Sequence, residues 1–223
     1  SDYIRLTTHN KMAESYNEVQ LHNLPSKACT FTAEADGNFP EYNYPADFKL
    51  TLKRGAQVMF IRNDNNGRYY NGRIGHVTHI DNEKILVLCP GDDKEIEVQQ
   101  ETWENTKYSL NEKTKQIEAE VQGTFKQYPL RLAWAITIHK SQGLTFEHAI
   151  IDAQSSFAAG QVYVALSRCK TLEGLILASP ISSSAIINDN QVMNYISLQT
   201  EEAEKSIAAL PTLKAEYYRQ LLL

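Results

Sequence analysis

Two hydrophobic rhythms alternate along this chain of 223 residues, and the order in which they occur constrains the fold more than any other feature. Residues 3–7 (YIRLT) read as a short strand. Residues 11–23 read as a helix, because Met12, Tyr16 and Val19, with Leu24 beyond, recur at a spacing near that of a helical turn. Pro25 stops that helix. Residues 28–34 (ACTFTAE) read as a second strand, and 36–49, rich in Asn, Pro, Asp and Tyr, as an irregular connection. From residue 54 the rhythm shortens. Runs at 56–62, 73–80, 84–89, 94–98 and 117–125 alternate with turn chemistry at Asn63-Asp64-Asn65-Asn66-Gly67, Asn71-Gly72, Asp81-Asn82 and Pro90-Gly91-Asp92-Asp93. After Pro129 the α/β rhythm returns: an apolar run at 132–138, a strand at 147–152, a helix from Gly160 to Leu166 and a buried strand at 174–178.

This order predicts one α/β domain made from both ends of the chain around a parallel sheet. Residues 1–53 and 129–181 supply it. The strand-rich segment 54–128, with its short strands and tight turns, predicts a small, strongly bent antiparallel barrel grafted into one crossover. Three helices, near 184–196, 200–208 and 212–222, are expected to form a tail over 182–223. Its apolar end, Leu221-Leu222-Leu223, either caps the domain or leads onward.

Composition sets the class. With 42% apolar and 22% charged residues the chain is of ordinary globular type. No apolar run approaches the length of a membrane span, so no membrane partner is expected. The start at Ser1 has neither a signal peptide nor an initiator Met, and reads as a piece of a longer protein. Cys29, Cys89 and Cys169 are sparse and odd in number, which points to thiols in a reducing compartment. A formal net charge of -5 excludes a general basic coat for nucleic acid but not a local strip. Residues 126–140 contain Lys126, Arg131, His139 and Lys140 and no acid.

Two segments carry chemistry. In the first, apolar residues from Leu132 give way to Thr137-Ile138-His139-Lys140-Ser141-Gln142-Gly143. Hydroxyl, imidazole, ammonium and amide donors at this density suit phosphate oxygens, and Gly143 allows backbone to approach a ligand. A solvated strand-to-helix turn is the plain alternative. The second segment, Gly160-Gln161-Val162-Tyr163-Val164-Ala165-Leu166-Ser167-Arg168, is an apolar helix from whose end Arg168 emerges. Arg168 could grip a phosphate bidentately, or simply face the negative end of the helix dipole. Tyr69 and Tyr70, beside Arg68 and Arg73, either stack on bases or pack the insert's surface. Trp134 and Phe60 read as core. The spacing of His76, His79, Asp81 and Cys89 fits no common zinc site, and no metal site is expected.

The segments LAWAITIHKSQGLTFEHAIID and GQVYVALSRCKTLEGL resemble motifs V and VI of superfamily 1B DNA helicases of the Pif1/RecD-like type. LTTHNKMAESYNE and LKRGAQVMFIRND…YYNGRIGHV also resemble that family's second motor lobe, so the likeness runs over residues 3–181. It implies a RecA-like lobe of the P-loop NTPase type (domain 2A), interrupted by an SH3-like 2B insert. By the same resemblance Arg168 is an arginine finger reaching the γ-phosphate of ATP, and Gln142 and Gly143 meet the nucleotide. Thr137, His139 and Lys140 would face the phosphates of single-stranded DNA, with Asn10 as a further backbone contact. The family's 5′ to 3′ direction is implied as well, with roles in DNA repair and recombination and a cytoplasmic, nucleoid-associated, bacterial setting. Many relatives outside this branch carry a ribose-binding Glu where this chain has Thr145, so nucleotide selectivity by that contact is not implied.

None of the ten glycines is followed by lysine, so the chain contains no Gly-Lys-Ser/Thr phosphate loop. No apolar strand ends in an Asp-Glu pair for magnesium. The family places both in its first lobe, which would hold ATP and Mg²⁺. This chain alone, expected to be monomeric and to carry neither, should not hydrolyse nucleotide. Its expected partners are single-stranded DNA and that upstream lobe. The competing expectation is a non-enzymatic module that binds single strands, in which Arg168 would be irrelevant.

Overall fold

The computed structural model describes residues 3–110 and 115–221. In chain order its elements are β1 (Ile4–Thr7), α1 (Asn10–Asn23), β2 (Ala28–Thr32), β3 (Glu34–Gly37), β4 (Lys49–Lys53), β5 (Gln57–Phe60), β6 (Ile74–Ile80) and β7 (Ile85–Leu88). There follow β8 (Ile96–Val98), β9 (Glu101–Leu110), β10 (Ile117–Gln127), β11 (Leu130–Leu132), β12 (Ala135–Thr137), β13 (Ala149–Asp152), α2 (Gln161–Leu166), β14 (Leu175–Leu177) and α3 (Asn190–Leu221).

The two ends of the chain build a parallel sheet in the order β12-β1-β13-β14. Leu6 pairs with Ile136 on one side and Ile151 on the other. β13 opens on the apolar run Ala149-Ile150-Ile151 expected of a strand covered on both faces, whereas β1 (IRLT) alternates, and its Arg5 pairs with Asp152 of β13 at 3.0 Å. Ile4, Leu6, Ile136, Ile138, Ala149 and Ile151 are buried together with Val162 and Ala165 of α2. β1 and β12 are adjacent, yet residues 8–134 lie between them in sequence. The crossover that would ordinarily hold one helix contains α1 and then the whole antiparallel unit.

That unit is a five-stranded antiparallel sheet in the order β11-β5-β6-β7-β8, with a second sheet β3-β10-β9 and the pair β2-β4. Leu50 and Leu52 of β4 share a core with Val58, Phe60, Val77, Ile85, Val87 and Leu130. Packing is therefore continuous across the residue-53 division expected from the sequence pattern. β5 joins the two cores because it is buried on both faces. Val58 and Phe60 point into the antiparallel core and Met59 into that of the parallel sheet. On Met59's side, the buried Gln57 amide donates to the carbonyls of Tyr3 (3.1 Å) and Ala133 (2.9 Å), tying the insert to the roots of β1 and β12.

Three expectations change. Residues 28–34 are not one strand but parts of two: β2 pairs antiparallel with β4, and β3 begins at Glu34 to pair with β10. The ten-residue β9 was not expected, since ETWENTKYSL has no clear apolar alternation; its partner β10 holds it through ten paired positions. The three tail helices are one helix, α3, which runs through Pro211. The missing N–H removes one helical hydrogen bond there but does not end the helix. Of the tail's apolar end, Leu222 and Leu223 lie outside the described residues. Among the described residues no helix is long and apolar enough to cross a membrane.

Candidate nucleotide and nucleic-acid interface

Loops that follow β1, β12 and β13 leave the parallel sheet at its carboxyl edge, where open α/β sheets commonly bind ligands. The first is Thr8-His9-Asn10, with Asn10 opening α1. The second leaves β12 through a single 3₁₀ turn, His139–Ser141. Thr137 is buried, and its hydroxyl accepts the Lys140 N–H at 3.2 Å. Ser141 is wholly buried and its hydroxyl donates to the Ile138 carbonyl at 2.6 Å, so it shapes the turn and offers nothing to a ligand. Ile138 N–H donates to the Thr7 carbonyl at 2.8 Å, locking the second loop to the first. Gly143 follows at φ +78°, a left-handed conformation, with open space where a Cβ would stand.

Asn10, Thr137 and Lys140 converge on one cleft between α1, β12 and the insert, which Asn17, Arg131, Glu14 and Asp47 also line. Asn17 is the residue the sequence reading missed. Its amide donates to the Ala135 carbonyl and accepts the Ala135 N–H, both at 2.8 Å, as a neighbouring strand would. β12 is the sheet's edge strand, so this side chain completes its outer hydrogen bonding. Lys140 sits at the cleft rim; desolvation lowers its pKa from the usual lysine value, assisted by the Arg131 charge, while Glu14 and Asp47 oppose. Of the basic strip seen in the sequence, Arg131 and Lys140 reach this cleft, whereas Lys126 pairs with Glu34 at 3.6 Å. His139 does not line it. Its ring turns toward Phe157 in the loop after β13, with 6.0 Å between ring centroids.

Arg168 lies just beyond α2. Its Nε donates to the Val164 carbonyl (3.0 Å), one terminal nitrogen to the Leu144 carbonyl (3.1 Å) and the other to the Ser167 hydroxyl (3.0 Å). Two backbone bonds, Phe146 N–H to the Arg168 carbonyl and Lys170 N–H to that of Phe146, run the two motif segments side by side. Thr137, Gln142, Gly143, Leu144 and Arg168 are thus linked by a short, hydrogen-bonded stretch of chain. The insert touches the same stretch: a Cβ added at Gly72 would stand 2.7 Å from a Leu144 methyl.

The aromatic pair of the insert divides. Tyr69 is buried and stacked on Phe60, with centroids 4.0 Å apart, and is therefore core. Tyr70 is exposed, with the Arg73 guanidinium 5.9 Å from its ring. Among the described residues no three His, Cys, Asp or Glu side chains gather as a metal site requires. His79 instead pairs with Asp81 at 3.0 Å.

Residues 132–176 match the model of the UvrD-like helicase C-terminal domain. The chain is 33% identical over 219 residues to the ATP-dependent DNA helicase Pif1 of Psychrobacter, covering 78% of this chain and 33% of that protein. With human ATP-dependent DNA helicase PIF1 it shares 37% identity over 183 residues, 77% of this chain and 26% of that one. Its fold superposes on Bacteroides Pif1 in complex with ADP-AlF4 at a TM-score of 0.80 and 38% identity, covering 91% of this chain and 46% of that one. It is similar to the C-terminal lobe of the Pif1-like helicases. Bacteroides Pif1 bound to single-stranded DNA matches at a TM-score of 0.70 and 38% identity, over 90% of this chain and 46% of that one. The Pif1-like chain spans between a quarter and a half of the length of these relatives. The part it matches is the helicase C-terminal lobe, and its parallel sheet with covered faces is that of a RecA-like lobe.

Proposed function

We propose that this chain is the second motor lobe of an ATP-dependent DNA helicase, supplying an arginine finger and half of a single-strand track. The observation that carries the reading is the continuity of residues 137–144. That segment starts at the cleft lined by Asn10, Thr137 and Lys140 and ends at Leu144, whose carbonyl holds the Arg168 guanidinium. A ligand at either end moves the same short stretch of backbone.

In this reading ATP and Mg²⁺ are bound mainly by a first lobe. When that lobe closes, Arg168 exchanges its carbonyl partners for the γ-phosphate and stabilises charge spread over the transferring phosphoryl group. Gln142 and the open backbone at Gly143 border the nucleotide. Asn10, Thr137 and Lys140, with His139 beyond the turn, contact strand phosphates. Movement 5′ to 3′ follows from the family resemblance and belongs to the proposal. The antiparallel insert corresponds to an SH3-like 2B subdomain, which braces Leu144 through Gly72.

The test joins this lobe to the first lobe of its parent protein. DNA-stimulated ATP hydrolysis is expected in the joined protein and not in this lobe alone. Arg168→Ala should lower kcat by roughly a thousandfold or more, the scale known for arginine fingers, with single-strand binding unchanged. Normal hydrolysis by that variant would refute the assignment.

A further inference from the structure

Phe157 has no role in the site as described so far, and its surroundings are unusual for a large apolar side chain. It is 57% exposed. It projects from the loop after β13, between the loops that follow β1 and β12. The His9 ring lies against it at 4.9 Å between centroids, tilted by 43°, and the His139 ring at 6.0 Å, tilted by 34°. Both separations fall within the range of favourable aromatic pairs. The support is fixed on each side. His9 Nδ1 is hydrogen-bonded to the Thr8 hydroxyl at 2.7 Å, and Thr8 is buried. Phe157 N–H donates to Oε1 of Gln161 at 3.0 Å, and that side chain is 4% exposed at the start of α2. Three loops from three strands thus hold one phenyl ring in place and leave more than half of it in water.

Other large apolar side chains are exposed as well, Tyr163 and Leu172 among them, but Phe157 is in addition bracketed by two imidazole rings. A ring held outward at the edge of a phosphate-binding strip has the form that stacks on an unpaired base, since every base offers an apolar face while its phosphates lie to the side. We propose that Phe157, bracketed by His9 and His139, is a stacking platform for one nucleobase of the single strand. This rests on the single-strand track proposed above and adds to it a contact to a base. Because a phenyl face reads no hydrogen-bonding edge, the platform tolerates any base but requires that a base be present.

The experiment titrates the 223-residue chain into a fluorescent 12-nucleotide oligothymidylate at low salt, and into the same backbone made wholly of abasic residues. The wild type should prefer the base-bearing strand by about fivefold or more, the lower end of what one stacked base contributes. Phe157→Ala should lose most of that preference and bind both strands near the abasic affinity, and Phe157→Trp should restore it. Lys140→Ala should weaken both strands alike. Equal binding of the two strands by the wild type, or an undiminished preference in Phe157→Ala, overturns the platform and leaves the phosphate track standing. If the wild type binds neither strand, the track itself fails and the platform with it.

Discussion

Asn17 offers the most direct test of how the cleft is built. Its amide makes two 2.8 Å bonds to the backbone of Ala135, one as donor and one as acceptor. Ala135 is 1% exposed and begins the edge strand that ends in Thr137. Asn17→Ala removes both partners. Each such bond contributes about 1 kcal/mol net, and an orphaned buried backbone group costs a further 1–3 kcal/mol where water cannot reach it. The cleft runs past both residues and admits water, so the lower end applies, and the expected loss is about 2–3 kcal/mol. Asn17→Asp is the sharper variant: it keeps an acceptor for the Ala135 N–H but sets a carboxylate oxygen against the Ala135 carbonyl. It should be destabilised at least as much as Asn17→Ala at pH 7. Equilibrium urea unfolding reads both, as a fall in midpoint with unchanged slope. A midpoint for Asn17→Ala that implies less than about 0.5 kcal/mol would refute the claim that this side chain stands in for a missing strand.

Two further outcomes follow from the insert. The Arg68 side chain, through hydrogen bonds at 2.9 and 2.8 Å, lowers the Asp64 pKa from 3.8 to about 2, with help from backbone N–H groups of Arg68 and Asn66. The folded value is the depressed one, so this stabilisation is present above pH 3.8 and is lost as pH falls through 2. Asp64→Asn should cost about 1–2 kcal/mol at pH 6, solvent screening at the half-exposed Arg68 included, and much less near pH 2; equal urea midpoints at pH 6 would sink it. Gly72 has φ +94°, and a Cβ there would press on Leu144. Gly72→Ala should lower stability by about 1–2 kcal/mol by thermal unfolding, and a variant as stable as the wild type would show that the turn relaxes freely.

Much of the fold was legible because its signals are local. Short strand-like runs marked β1, β12, β13 and β14; Asn-Gly and Asp-Asn turns marked the hairpins of the insert; the return of the first rhythm after Pro129 placed the insert inside one crossover. The density of donors over residues 137–143 is visible in the sequence itself, whereas Arg168 and Asn10 stand out as ligand contacts only through the family resemblance. β9 escaped because a strand exposed on much of both faces has no periodicity to read. The single α3 escaped because Pro211 and the polar interruptions look like ends when each turn is judged by itself.

Sequence by itself therefore determined the alternation of elements, the absence of a phosphate loop, and which residues carry donors. Tertiary structure alone decided what those donors do. It buried Ser141 and Tyr69, turned His139 away from Lys140 and toward Phe157, and engaged Arg168 with the Leu144 carbonyl. It also recruited Asn17, from a helix 118 residues away in sequence, to complete an edge strand. The physical reason is one of range. Hydrophobic period and turn chemistry act between near neighbours and are written along the chain, whereas a hydrogen-bond partner is chosen by which surfaces the folded core brings together.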